Sequence, residues 1–123
     1  MYVAANEIER FANSLLTGYG VCESVAMHVS AGLVQASVRG VDSHGVRLLP
    51  HYVRALKAGR LNPAPNFRFE QTGASTGTLD GDDTFGHASG AEGMGNAIRM
   101  AKESGLASVA VHNSSHFGSA AYF

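Results

Sequence analysis

The fold is decided by residues 76–113, which read "TGTLDGDDTFGHASGAEGMGNAIRMAKESGLASVAVHN". The first eight residues predict a short strand that ends in a Gly-Asp-Asp turn. Residues 89–105 fit a helix that Gly105 ends, with an inward face formed by Ala91, Met94, Ile98 and Ala101. Residues 106–113 are short, apolar and β-branched, which predicts a buried strand. A strand, a helix and a second strand in this order predict an α/β layer.

Two amphipathic helices are predicted at the beginning of the chain. Asn6 is a suitable N-cap for the first, because Glu9 follows three residues later and apolar residues recur at helical spacing until Gly18. The second spans about residues 23–39, and one face of it carries Val25, Val29, Leu33 and Ala36. Both helices therefore have an apolar side for a shared core.

A third helix is predicted to end at Gly59, but its start is ambiguous. Asp42 or Ser43 is a candidate cap, whereas Pro50 favours a start near Leu49, because proline is tolerated only in the first turn. Residues 62–66 then carry two prolines and predict a loop. We expect a helical part at residues 1–62 and the beginning of an α/β sheet domain at residues 63–123.

Composition limits the classes of function. The 123 residues, 45% of them hydrophobic, suffice for one domain with a core. A net charge of −1 provides no basic surface, so nucleic acid is not an expected partner. The single cysteine, Cys22, and the lack of a leader-like or long apolar segment predict a cytoplasmic protein that does not enter membranes.

Residues 39–63, "RGVDSHGVRLLPHYVRALKAGRLNP", concentrate reactive side chains between two predicted helices. A catalytic relay of Asp42, Ser43 and His44 is excluded, because adjacent residues point in different directions. A helix cap at Ser43 and a solvated polar face are the simplest interpretations. The alternative is a site for a carboxylate, with hydrogen-bond donors from His44, Arg47, His51 and Tyr52.

Two further patterns near the C-terminal end suggest ligands. His112 and His116 have the i, i+4 spacing of a helical metal pair, but His112 ends a predicted strand and no third ligand accompanies them, so we expect no metal. His116 lies just beyond the carboxyl end of that strand, where α/β proteins bind ligands, and suits a general acid or base. The segment "GAEGMGNA" reverses the dinucleotide fingerprint, so its small residues are interpreted as a close packing surface.

Three segments together resemble the malate/L-lactate dehydrogenase family of the second type, which also contains ureidoglycolate, sulfolactate and imino-acid enzymes. They are the 39–63 segment, "TLDGDDTFGHASG" and "VAVHNSSHFGSAAYF", and the resemblance runs through essentially the whole chain. It implies a non-Rossmann α/β fold and hydride transfer between NAD or NADP and a small 2-hydroxy, 2-oxo or 2-imino acid. It also implies a homodimer.

The resemblance assigns roles by position. His116 would be the acid or base that exchanges the hydroxyl proton, with His44 as a second catalytic residue. Ser43 would line the substrate site, while His44, His116 and Gly118 would contact the cofactor. The commoner pattern has a carboxylate-binding arginine where this sequence has Leu48. Arg47 is the nearest substitute, with His51 and Arg54 as further candidates.

Members of the resembled family continue well beyond this length, so the chain is expected to be a front portion. Two hypotheses follow for its function. One is an NAD(P)-dependent oxidoreductase whose substrate is a small 2-hydroxy acid such as malate or lactate. The other is a catalytically silent fragment that only interacts or oligomerises.

Overall fold

The structure, a computed structural model, describes residues 2–123. Within this range, four helices and one three-stranded sheet form the fold. The helices are α1 (Ala5–Gly18), α2 (Glu23–Val38), α3 (Leu49–Lys57) and α4 (Gly86–Ser104), and the strands are β1 (Arg68–Gln71), β2 (Thr76–Thr84) and β3 (Ser108–Ser114). Short 3-10 turns lie at Asp42–His44, Val46–Leu48 and Ala120–Tyr122. Helices followed by a small mixed sheet confirm the predicted α/β class.

Helix α2 is the centre of the helical part. Its predicted apolar face is confirmed, since Val25, Val29, Leu33 and Ala36 are all buried. Each fully buried leucine or valine side chain contributes about 1.5–3 kcal/mol to folding. The predicted Asn6 cap is wrong: the cap position is Ala4, two residues earlier, and its methyl group cannot accept a hydrogen bond.

The start of α3 follows the proline. Pro50 lies in the first turn, where its missing N–H costs no helical hydrogen bond, so the start near Leu49 is confirmed. The predicted caps at Asp42 and Ser43 are wrong, because residues 42–44 form a separate 3-10 turn without a side-chain cap. Instead, Ser37 of α2 accepts a hydrogen bond from the backbone N–H of Val46 at 3.0 Å.

The sheet has the order β1-β2-β3. Strands β1 and β2 are antiparallel, β2 and β3 are parallel, and α4 forms the connection between the parallel pair. This is the strand, helix and strand unit that residues 76–113 predicted. In the register of the sheet, Leu79 of β2 lies beside Phe69 of β1 and Val111 of β3.

A bulge in β2 is hydrogen-bonded to the segment that follows α3. The register shifts between Asp80 and Thr84, and Asp82 and Asp83 have φ angles of 51° and 57°. Asn62, just after α3, donates from Nδ2 to an Asp82 carboxylate oxygen at 2.9 Å and accepts at its carbonyl from the Thr84 hydroxyl at 2.7 Å. The end of β2 therefore has a fixed position relative to α3.

The inward face predicted for α4 is wrong, and so is its first residue. The helix begins at Gly86, and its buried residues are mostly small: Gly86, His87, Ala88, Ser89, Gly93 and Met100. Met94 and Ile98 are 42% and 52% exposed. Gly93 faces the sheet, since a Cβ atom there would lie 2.8 Å from Val111, and Gly90 faces the C-terminal segment, since a Cβ atom there would lie 2.7 Å from Phe123. The packing interpretation of the glycine-rich segment is thus confirmed.

The prediction that β3 is buried is also wrong. Six of its seven residues are exposed and the other is half-buried, and within residues 2–123 β3 is an edge strand with only β2 beside it. Its apolar sequence is typical of a strand that is covered on both faces. None of the helices between residues 2 and 123 is long and apolar enough to cross a lipid bilayer.

Candidate active site

His116 is presented by the carboxyl end of the parallel sheet. Strand β3 ends at Ser114, and the Ser115 amide donates to the Thr84 carbonyl at 3.1 Å, which keeps the segment beside the end of β2. Gly86 at the start of α4 has no side chain, and a Cβ atom there would lie 2.5 Å from the Phe117 Cα atom. The close approach of α4 therefore holds the backbone on both sides of His116.

His44 meets His116 although 72 positions separate them in the sequence. The two imidazole rings are stacked, with centroids 5.4 Å apart and planes inclined by 25°. The Ser43 hydroxyl lies 2.9 Å from His44 Nδ1. The structure thus brings together three of the predicted site residues, with Ser43 and His44 on the 3-10 turn after α2 and His116 on the sheet side.

Tyr52 connects the two parts of the chain beneath this pair. It lies on the inner face of α3, is 2% exposed, and places its hydroxyl oxygen 2.8 Å from His116 Nδ1. Burial raises the pKa of Tyr52 to about 12, so the phenol stays protonated at neutral pH. Its hydroxyl is directed at a histidine of the site, whereas the sequence predicted that Tyr52 contacts the substrate.

The electrostatics of the site favour a neutral His116. Burial lowers the pKa of His116, and the charges that His44 and His51 carry when protonated lower it further. His51 itself is exposed, with its ring centroid 5.9 Å from that of Tyr52. Neutral imidazole can accept a proton, as a general base near pH 7 requires, and the imidazolium that results can return it as a general acid.

The two candidate arginines are both exposed side chains. Arg47 is exposed on the 3-10 turn between the Ser43–His44 turn and α3, and its guanidinium makes no hydrogen bond to another described residue. Arg54 is exposed on the last turn of α3. Both remain candidates for binding a carboxylate, and Arg47 is four residues or fewer from Ser43 and His44.

Gly118 is hydrogen-bonded to the His116 ring. It is buried, has a φ of +72°, and donates its backbone N–H to His116 Nδ1 at 3.3 Å. A side chain here would collide with the His87 ring, so both conformation and space require glycine. The cofactor contact predicted for Gly118 stays a prediction, while its amide is engaged with His116.

His87 is the functional candidate that the sequence analysis missed. It lies in the first turn of α4, is fully buried, and neither ring nitrogen has a hydrogen-bond partner within residues 2–123. Its ring packs between Gly32 of α2 and Gly118, and edge-on against Tyr52 and Tyr122. No local signal distinguishes it, because its burial depends on contacts with residues far away in the sequence.

The same burial controls the charge of His87. Desolvation lowers its pKa to about 4, and the charges of His116 and His28, when these are protonated, act in the same direction. His87 is therefore neutral at pH 7.

The other two histidines lie outside this cluster. His112 is exposed in β3. His28 of α2 lies 2.9 Å from the Tyr122 hydroxyl through its Nδ1 atom. Among residues 2–123 no three His, Cys, Asp or Glu side chains are placed to share a metal ion.

A helical part joined to a parallel strand, helix and strand unit defines the chain as an α/β protein, and its histidines lie at the carboxyl end of the parallel strands, where proteins of this class commonly bind ligands. The family model for malate/L-lactate dehydrogenases matches residues 3–123, and the chain belongs to that family. The sequence resemblance is thereby confirmed.

Individual relatives agree with this assignment. Malate dehydrogenase of Pyrococcus abyssi is 37% identical over 121 residues, which are 98% of this chain and 33% of the relative. L-sulfolactate dehydrogenase of Methanocaldococcus jannaschii is 37% identical over 109 residues, 89% of this chain and 32% of the relative. The chain thus spans about a third of the length of these curated relatives.

Solved structures show the same fold. Malate dehydrogenase from Pyrococcus horikoshii OT3 superposes with a TM-score of 0.95 at 38% identity, over 99% of this chain and 35% of that structure. Sulfolactate dehydrogenase from Methanocaldococcus jannaschii gives a TM-score of 0.94 at 34% identity, over 99% and 36%.

Proposed function

We propose that the chain serves an NAD(P)-dependent oxidoreductase that interconverts a small 2-hydroxy acid, such as malate or lactate, and its 2-oxo acid. The observation that carries the proposal is the stacked pair of His44 and His116, with Tyr52 bonded to His116. The names of the relatives, malate and sulfolactate dehydrogenases, support this substrate class.

His116 is the group we propose for proton exchange. Its Nδ1 atom is occupied by Tyr52 and Gly118, which leaves Nε2 without a partner among the described residues. The 2-oxygen of a bound acid would therefore meet Nε2. A pKa below the usual histidine value keeps this imidazole neutral near pH 7, the form that can take up a proton.

The residues also fit the nicotinamide end of the implied cofactor. His44 and Phe117 each stack on His116, with ring planes inclined by 25° and 23°. The site therefore combines flat aromatic surfaces with the polar nitrogen atoms of the two imidazoles. The Ser43 hydroxyl and the imidazoles offer donors and acceptors of the kind that a carboxamide needs. When bound, the nicotinamide would supply or accept the hydride. Ser43, His44 and His116 are the residues that would hold it.

For the substrate carboxylate we propose Arg47. A guanidinium binds a carboxylate through two parallel hydrogen bonds, and the Arg47 side chain is free of internal hydrogen bonds in the described chain. Arg47→Gln should raise KM by about 10- to 100-fold, the range of a lost charged hydrogen bond, with a smaller effect on kcat. Arg54→Gln is the matched control, and a larger effect there would transfer the role to Arg54.

The first test is binding of NADH and NADPH to the chain, followed through nicotinamide fluorescence. Saturable binding supports the proposal and shows which of the two cofactors is preferred, whereas no binding by a folded chain contradicts the contacts assigned to Ser43, His44 and His116. The second test is oxidation of the bound cofactor by a panel of 2-oxo acids.

Histidine variants test the proton-transfer role. His116→Gln should lower kcat by about 10²- to 10⁴-fold, the usual contribution of a general acid or base. His112→Gln, an exposed histidine four residues earlier, should keep full activity. Equal losses in both variants would contradict the role of His116.

The second candidate function is an interaction fragment without catalysis. The exposed edge of β3 and the groove of about 710 Å³ between β3 and α4 favour it, because an open edge can pair with another chain. Sedimentation over a dilution series tests it, and a stable monomer at high dilution would count against it. A homodimer, a cytoplasmic location and the division at residues 62 and 63 stay predictions.

A further inference from the structure

Two groups lie near His116 Nδ1, and they differ in whether they can accept a hydrogen bond as well as donate one. The Tyr52 hydroxyl, at 2.8 Å, can either donate or accept a hydrogen bond. The backbone amide of Gly118, at 3.3 Å, can only donate. In histidine, the hydrogen bond at one nitrogen decides which nitrogen carries the proton of the neutral ring. The amide therefore affects the two tautomers differently, because it can bond to Nδ1 only when Nδ1 carries no proton.

We propose that the Gly118 amide holds neutral His116 in the tautomer that carries its proton on Nε2, so that His116 meets the 2-oxygen of a bound acid as a hydrogen-bond donor. In this tautomer Nδ1 accepts from both Tyr52 and Gly118. In the other tautomer the Nδ1 proton would face the Gly118 N–H. Tyr52 could adapt by turning its hydroxyl, but a backbone amide cannot reverse its direction.

The position of the amide is built into the fold. The Gly118 N–H points back toward the ring two residues earlier, and the φ of +72° by which the chain continues is one that glycine adopts without strain. The buried His87 ring packs directly under Gly118 and leaves no room for a side chain. Gly118 is thus a positioning residue, and His87 supports it.

The consequence for the reaction rests on the proposed function. A neutral ring with its proton on Nε2 donates to the carbonyl oxygen of a 2-oxo acid. Accepting a proton from a hydroxyl at Nε2 requires the other tautomer, which the Gly118 amide disfavours. The resting site therefore recognises the 2-oxo acid, and a 2-hydroxy acid must first bring about a tautomer change in His116.

The tautomer can be measured without cofactor or substrate, through the ring nitrogen shifts of His116 in ¹⁵N-labelled chain at a pH where the ring is neutral. We expect the Nδ1 signal of an unprotonated nitrogen and the Nε2 signal of a protonated one. Replacing the Gly118 amide by an ester, with glycolic acid at this position, removes the donor and adds no atoms to the crowded side. The ratio of the tautomers should then shift about fivefold toward Nδ1–H, as for one net hydrogen bond.

Tyr52→Phe and His28 provide the controls. Tyr52→Phe should keep the tautomer, because a phenol stabilises either form. His28 also has a tyrosine hydroxyl at Nδ1, and its ratio should not change in either variant. A protonated Nδ1 in the wild-type chain, an unchanged ratio in the ester, or an equal shift in Tyr52→Phe would each overturn the proposal. None of these results depends on turnover, so loss of the proposed function would be seen separately.

Discussion

The buried His87 should make the stability of the chain depend on pH. In the folded state the pKa of His87 is lowered from 6.5 to about 4, so the ring stays neutral. In the unfolded chain the ring is exposed and protonates near pH 6.5. Between these values the unfolded state binds more protons, so the free energy of unfolding must fall as the pH falls. The contribution is complete above about pH 6.5 and is lost at about pH 4.

The expected size follows from the two pKa values. Each pH unit across this window corresponds to about 1.4 kcal/mol per proton, so the passage from 6.5 to about 4 removes roughly 3 kcal/mol. This is a substantial part of the 5–15 kcal/mol that is typical of a small domain. The pKa values of His28 and His116 are also lowered by burial and add to the loss in the same direction.

The variant His87→Leu separates the contribution of His87 to the pH-dependent stability from the contributions of His28 and His116. His87→Leu removes the titrating group and two unpartnered nitrogens, so its stability at pH 7 should be equal or slightly higher. Its loss between pH 7 and pH 4 should be smaller by roughly 3 kcal/mol. Urea unfolding followed by circular dichroism measures both, because the chain has no tryptophan. His112→Gln is the exposed control, and parallel curves for wild type and His87→Leu would refute the reasoning.

Two further predictions concern stability. Asn62→Ala removes the Nδ2 bond to Asp82 and should cost about 1–3 kcal/mol in urea unfolding, while Asn66→Ala, which uses only its backbone N–H, should cost little. A loss as large in Asn66→Ala would contradict the bonding at the bulge. Gly32→Ala drives a methyl group into the buried imidazole and should cost about 1–3 kcal/mol, whereas Gly18→Ala, with open space around it, should be neutral or stabilising. Similar melting temperatures for these two variants would argue against the tight packing of α2.

The parts of the fold that the sequence predicted correctly depend on short-range patterns. The apolar spacing in α2, the first-turn proline of α3 and the glycine at the end of α4 each act within one or two helical turns. The errors concern long-range packing. Met94 and Ile98 have a helical apolar spacing but are exposed, because glycine permits a closer approach to the sheet than a larger side chain does.

The sequence predicted which residues belong to the candidate site but not which of them contact one another. The resemblance directed attention to Ser43, His44 and His116, and the structure brings these three together. No pattern in the sequence pairs Tyr52 with His116, because 64 positions separate them. His87 was missed for the same reason, because no sequence feature of an isolated histidine in a glycine-rich segment predicts its full burial.

The geometry of the site depends on how the two parts of the chain pack against each other. His44 and Tyr52 come from the helical part, His116 and Gly118 from the sheet side, and their contacts cross the boundary between them. A displacement of α4 would move His87 and, with it, Gly118, whose amide is the donor that we propose selects the tautomer of His116. Core substitutions at this boundary should therefore alter proton transfer before they unfold the chain.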